Sequence, residues 1–391
     1  MHGNDGRHGS VPPIAVSFRM KTAIIYDWLV SKGGAERIVR PLLSILPSAD
    51  IYALVCDRES FAAETAGHRV FTSGLQHIPG IFRVYRSLVP LFPSLIEKFD
   101  LRGYDLVLSV SHCVAKGVIT PPDTCHICYC LTPVRYAWEL YADYFSPSRR
   151  NAINGFQRRL APFVMNYLKI WDAASSNRVD FFLSVSHNIA RKVRKYYRRE
   201  SDVVYPPVDT EFFRPAGSPE DFFLVVSRLV PYKRVDVIVE AFNRLRLPLK
   251  IVGTGPEYRR LTRMAGTNVE FLGWQPDTVV RDLYASCRAL VVAAEEDFGI
   301  TPLEAQASGR PVIALRRGGF RETVVEGTSG VLFDRQEAGS LAEAVRIFER
   351  MSFDTGWIRS HALQFSPDVF ARTMRERIAA CMHEYAAMLR R

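Results

Sequence analysis

Twelve short apolar runs alternating with helical patterns dominate this chain and leave few folds open to it. In the first half they fall at 22–29, 50–55, 105–111, 126–132, 181–186 and 203–205. In the second half they fall at 222–227, 249–253, 269–274, 289–294, 312–315 and 330–333. Strand-length apolar runs alternating with amphipathic stretches are the pattern of βαβ units, which build parallel sheets with helices on both faces. Between the first two runs of the second half, Val235, Ile238, Phe242 and Leu245 share one helical face. The expectation is an α/β protein with two Rossmann-like, doubly wound domains. A length of 391 residues, too long for one ordinary core, agrees with two.

The hinge between the halves falls at Tyr205-Pro206-Pro207-Val208, where two prolines stop the preceding strand and disfavour a helix. Residues 20–206 are read as the first domain, 207–366 as the second and 367–391 as a final helix. Residues 1–19, rich in His, Gly and Pro, read as a disordered tail or a misplaced start, because Met20-Lys21 directly precedes the first strand-like run. They carry no apolar stretch of signal-peptide length. No run approaches the roughly 18 apolar residues of a membrane span, and a cytoplasmic setting is expected. Seven cysteines, an odd number, point to reduced thiols. Cys125, Cys128 and Cys130 with His126 invite a zinc reading, but Ile127, Tyr129 and Leu131 alternate with the thiols as in a buried strand. Structural zinc needs paired motifs, so no metal is expected.

Four segments carry the chemistry. At 293–304 a buried run ends, a Gly-containing loop follows and a helix begins. Thr301, Pro302 and Glu304 have the spacing of a capping box, which accounts for Glu304 locally. The other reading lets the free N–H groups of that helix start meet an anion while Glu304 accepts ligand hydroxyls. Glu296 has no such local role. Arg228 and Lys233, just after the 222–227 run, pair a forked guanidinium with a point-charge ammonium, as a diphosphate ligand needs. Gly33 and Gly34 open the first helix and let backbone approach a ligand closely. The turn Gly318-Gly319-Phe320-Arg321-Glu322 follows another run. His112 and His187 stand beyond two similar runs, where open α/β sheets place their ligands.

Taken together, these residues resemble the retaining glycosyltransferases of family 4, over nearly the whole chain from Met20 and most densely at 226–333. Glu296 and Glu304 match the family's Glu-x7-Glu element, Arg228 and Lys233 its diphosphate-binding pair, and Gly33 and Gly34 its amino-terminal glycine loop. The resemblance implies the GT-B fold, with two domains facing a central cleft and a C-terminal helix returning to the first. By position it places ribose on Glu304, diphosphate on Arg228 and Lys233, and the base near Gly273 and Trp274. The transferred sugar falls to Glu296 and to backbone N–H groups at Phe298, Gly299 and Ile300. It implies no cofactor and no metal, the nucleotide-sugar being a substrate. The segment 126–138 resembles a subgroup of bacterial O-antigen and exopolysaccharide mannosyltransferases using GDP-mannose. Leu131 departs from it, standing where members often carry a donor-contacting His; His112 is either a substitute or a structural histidine.

The net charge of +10 fits a diphosphate ligand plus an anionic membrane surface. Scattered basic residues and no nucleic-acid motif exclude nucleic acid as the expected partner. Segment 77–100 mixes Ile78, Ile81, Phe82, Val84, Tyr85, Leu88, Leu91 and Phe92 with Arg83, Arg86 and Lys98. It reads either as a peripheral inner-membrane surface or as helices packed on the first domain; 149–169 is a second candidate. The acceptor implied is a polyprenyl-diphosphate-linked saccharide. Competing readings are a UDP-sugar transferase, a nucleotide-sugar epimerase and an inactive sugar-nucleotide-binding module.

Overall fold

A computed structural model describes residues 20–31, 33, 36–139 and 155–391. The tail 1–19, Gly34 and the start of the 149–169 segment lie outside the described residues.

The first sheet comprises β1 (Thr22–Tyr26), β2 (Asp50–Ala53), β3 (Val70–Thr72), β4 (Leu106–Ser111), β5 (Cys125–Cys130), β6 (Phe181–Ser184) and β7 (Asp202–Val203). The second comprises β8 (Phe223–Val226), β9 (Leu249–Val252), β10 (Val269–Gly273), β11 (Leu290–Val292), β12 (Val312–Leu315) and β13 (Gly330–Phe333). Their orders are β3-β2-β1-β4-β5-β6-β7 and β10-β9-β8-β11-β12-β13, and every pairing is parallel. Both are the doubly wound order, which reverses direction once and opens a crevice at the carboxyl ends of the two central strands. Those strands are β1 and β4 in one domain, β8 and β11 in the other.

All twelve expected runs are strands, and every residue of β1, β4 and β5 is buried, as parallel strands covered on both faces require. The strand missed is β3. It has three residues, lies at the sheet edge, and leaves Phe71 exposed, so no apolar run announces it.

Helices cover both sheets. The helix His187–Tyr197 begins at Ser186, whose hydroxyl accepts the Ile189 N–H at 3.1 Å. The helix Pro367–Met388 crosses back to the first domain. There Met374, Ile378 and Cys381 join the core that contains β5, Arg377 pairs with Asp202, and the Tyr385 hydroxyl donates to Pro122 O at 2.7 Å. That core continues between the domains, where Tyr205 meets Phe298 and Phe365 at ring distances of 5.6 and 5.2 Å.

Four segments of the first domain are tied by a buried charge. Lys116, just after β4, donates from Nζ to Asp172 Oδ1 at 2.5 Å and to Ser175 Oγ at 3.1 Å, both on the helix Gly155–Ser175. The second Asp172 oxygen accepts Trp138 Nε1–H at 2.7 Å and the Tyr197 hydroxyl at 2.8 Å. Every strong donor aimed at this carboxylate is therefore satisfied, the condition for a buried ion pair to be tolerated.

The three thiols of β5 do not meet at one point, because alternation sends Cys125 to one sheet face and Cys128 and Cys130, which hydrogen-bond each other, to the other. His126 lies buried with one ring nitrogen 2.9 Å from Ser109 Oγ and the other 3.1 Å from Arg178 O. Burial, opposed by that carbonyl, lowers its pKa to about 4. This is a neutral core histidine.

Candidate active site

At the first crevice, the chain leaves β1 at Asp27, whose side chain is fully buried. It accepts the backbone N–H groups of His112, Cys113 and Ala115 at 2.7, 2.9 and 2.7 Å, and that of Val114 as well. Nδ1 of His112 lies 2.9 Å from the same carboxylate. Burial alone drives an acid's pKa upward, but His112 and the N–H groups outweigh it and hold Asp27 below its usual range. For His112, burial acts downward, yet Asp27 and then Glu36 raise the ring above its ordinary value. Neither Asp27 nor Glu36 was singled out by motif, although an acid immediately after the first strand of a doubly wound sheet was the available signal.

In the glycine loop, Gly33 N–H donates to Glu36 Oε2 at 3.1 Å. Burial pushes Glu36 up, and the opposing His112, Gly33 N–H and Arg86 do not cancel it.

Across the cleft, Lys233 forms an ion pair with Glu296, both side chains being about one-fifth exposed. The two residues assigned separately to diphosphate and sugar are thus in direct contact. Arg228 is exposed and takes part in no ion pair among the described residues; its charge reaches Tyr85 of the first domain. Next to Lys233, Arg234 holds a left-handed backbone (φ 50°), unusual for a residue with a side chain and located where the loop turns into the helix Val235–Leu245.

The capping-box expectation is corrected. The helix Ile300–Ala307 starts from Gly299, at φ 98°, and no side chain caps it. Glu304 instead lies one turn in, nearly fully buried, and accepts the Tyr284 hydroxyl at 2.9 Å and the Arg37 guanidinium from the first domain. Local spacing suggested the cap; a partner 267 positions away takes the carboxylate. Ile300 is half-buried at the helix start. Phe298 is buried against Tyr205 and Phe365, so only its backbone is available to a ligand. Gly273 closes β10 at φ 68°, and Trp274 beyond it is 73% exposed at that sheet edge. His187 gives its backbone N–H to Glu322 at the domain junction, while the residue stays exposed with its ring edge-on to Tyr205. Leu131 is buried beside β4, its N–H on Ser111 O at 2.9 Å.

Asp297 and Glu322 also join the lips of the cleft, besides Arg37–Glu304. Asp297 pairs with Arg135 and, at 2.7 Å, with Lys192. Its carbonyl accepts the Ser186 hydroxyl at 2.6 Å. Glu322 accepts the N–H groups of His187 and Asn188, each at 2.8 Å, so an acid of the second domain sits on a helix start of the first. Burial opposes ionisation of Asp297, but Arg135 and Lys192 win and lower its pKa.

The loop carrying Glu296 is held by glycines. A Cβ on Gly318, itself at φ 63°, would lie 2.1 Å from Glu296 O, and Gly319 N–H donates to that carbonyl at 2.8 Å. Gly318→Ala is expected to destabilise by about 2 kcal/mol, since neither backbone can yield cheaply. Gly339→Ala, with open space around the Cβ and no positive φ, is the matched control, expected within about 0.5 kcal/mol of the parent. Urea melts of both variants measure the difference.

Residues 208–355 match the family model described as glycosyl transferases group 1. An uncharacterized glycosyltransferase of Methanocaldococcus jannaschii is 29% identical over 171 residues, covering 42% of this chain and 48% of that protein. The D-inositol 3-phosphate glycosyltransferase of Geodermatophilus obscurus is 34% identical over 214 residues, covering 46% and 47%. The chain spans about half the length of the curated relatives it matches. Among solved structures, Anabaena HepE in complex with UDP superposes with a TM-score of 0.68 at 17% identity, covering 92% of this chain and 100% of that one. The fold is therefore GT-B: two doubly wound α/β domains whose strand ends face each other.

Proposed function

We propose that this chain is a retaining glycosyltransferase of family 4. It would move a hexose, mannose from GDP-mannose, onto a lipid-linked saccharide in bacterial surface or exopolysaccharide assembly. The observation that carries the reading is the contact of Lys233 with Glu296 at the carboxyl ends of β8 and β11. The match of 208–355 to the glycosyl transferases group 1 model supports the same assignment.

In this reading Lys233 exchanges Glu296 for the donor diphosphate, and Arg228 joins it. Glu296 is then released to accept hydroxyls of the transferred sugar, with backbone N–H groups at Phe298, Gly299 and Ile300 completing that subsite. Glu304 holds the ribose in place of Arg37, and the backbone at Gly273 and Trp274 borders the base. The bond from the anomeric carbon to the diphosphate oxygen breaks as the acceptor oxygen bonds to the same face. The acceptor's proton passes to the leaving phosphate. Negative charge grows on the diphosphate, and fixed cations there lower the barrier without a metal. A UDP-sugar donor is the second reading, favoured by the UDP complex of the HepE structure.

A thermal-shift panel of GDP-, UDP- and ADP-sugars tests the donor. A cognate ligand at 100 times its Kd stabilises by about 2.7 kcal/mol. Glu304→Gln is expected to weaken that donor about tenfold, roughly one charge-assisted hydrogen bond. If no sugar nucleotide moves the melt or is consumed with an acceptor, the transferase reading fails.

The membrane part of the proposal draws on exposed apolar groups. Ile81, Tyr85 and Phe92 are buried in the first domain, whereas Ile78, Phe82, Val84 and Leu91 remain exposed near Arg83. On the helix Gly155–Ser175, Phe163, Tyr167 and Ile170 form an exposed stripe. No helix among the described residues is long and apolar enough to cross a membrane. Flotation with anionic vesicles should carry the protein upward, and Phe163→Asp with Ile170→Asp should abolish it. Equal flotation of the variant removes this surface from the proposal.

A further inference from the structure

We propose that Asp27 is a positioning residue for the transfer reaction: it fixes the His112 ring so that Nε2 donates to an oxygen of the transferred sugar. The inference rests on the glycosyltransferase reading and deepens it. Asp27 directly follows β1 and His112 follows β4, so the pair spans the reversal point of the first sheet. Trp28 packs on both His112 and Tyr85, and Tyr85 feels the charge of Arg228 from the second domain. Four consecutive backbone N–H groups, from His112 to Ala115, converge on the Asp27 carboxylate. Such convergence leaves that carboxylate little freedom to rotate, and through it the ring is fixed by the 2.9 Å contact at Nδ1. An edge contact with Trp28, 4.4 Å between ring centroids, blocks a second direction of ring motion.

With Nδ1 given to a carboxylate, Nε2 is the nitrogen left for a ligand, and the side chain keeps a quarter of its surface open. Three charged groups act on the ring from the elements around it. Asp27 comes from the end of β1, Glu36 from the glycine-loop turn, and Arg86 from the segment Tyr85–Leu91. Two acids against one base favour the imidazolium, a donor at both nitrogens. The ring supplies a hydrogen bond and positive charge and undergoes no net proton transfer.

The sign of the pH effect follows. The cation is present at low pH and lost as pH rises through the ring's raised pKa, so transfer should decline on the alkaline side in step with that loss. His112→Gln, neutral at every pH, should remove this limb and lower kcat about 100-fold, with donor KM changed little. Asp27→Asn, once a thermal melt shows it folded, should move the limb to lower pH. Protein labelled with 15N-histidine reads the ring directly, without any substrate. The expected result is a proton on Nδ1 and a titration above 6.5.

An ordinary titration overturns the proposal. So does a wild-type kcat in His112→Gln, or an alkaline limb that survives that change. If the ring titrates as expected while no sugar nucleotide supports transfer by the wild type, the glycosyltransferase reading fails instead, and the pair is purely structural.

Discussion

Glu296→Ala should fold with under about 1 kcal/mol of lost stability and transfer sugar about 100- to 1000-fold more slowly. The first half follows from exposure. The carboxylate is partly solvated and, among the described residues, paired only with Lys233, itself partly solvated, and such ion pairs contribute little to folding. Its backbone carbonyl, not its side chain, is what Gly319 holds. The second half follows from the proposed role, in which the carboxylate orients the sugar as its bond to diphosphate breaks. Glu296→Gln separates two contributions, because the amide keeps an acceptor but releases Lys233. A parental rate in Glu296→Ala would place the chemistry elsewhere in the cleft. Single-turnover assays with saturating donor make the comparison free of binding effects.

Asp172→Ala should be the most destabilising single change argued for this chain, at about 3–5 kcal/mol. It would leave Lys116 charged with 1% exposure and no acid, and strip the Trp138 indole and Tyr197 hydroxyl of their acceptor. Replacing both charges, Lys116→Met with Asp172→Leu, should recover a good part of the loss, since two apolar groups need no solvation. Guanidinium melts of the three proteins give the cycle. A single-variant loss below about 1 kcal/mol would mean that water reaches Lys116. The same change should also slow transfer, because Trp138 anchors the short helix Arg135–Trp138 and Arg135 reaches Asp297 across the cleft.

The fold was legible because both sheets bury their strands on two faces, which prints continuous apolar runs into the chain. Edge strand β3 escaped because three half-exposed residues print nothing. The site was legible only where its residues crowd into one loop, as around Glu296. Glu304 shows the limit: Thr301, Pro302 and Glu304 satisfy the spacing of a cap, but nothing nearby in the chain announces Arg37. Asp27 and His112, 85 positions apart, meet only because β1 and β4 are neighbours. Adjacency across a sheet is a property of topology, and a pattern read along the chain cannot carry it.

Phe298 lies between Glu296 and Gly299 in sequence, yet its ring belongs to the aromatic packing at the domain junction. Its neighbour Asp297 is held from the other domain. Any widening of the cleft therefore pulls on the loop that bears Glu296. In the proposed transfer, opening to discharge product and dismantling the reactive arrangement would be one motion. Under that proposal, water entering the open form would meet a donor no longer aligned for attack, and an activated sugar would be spared hydrolysis.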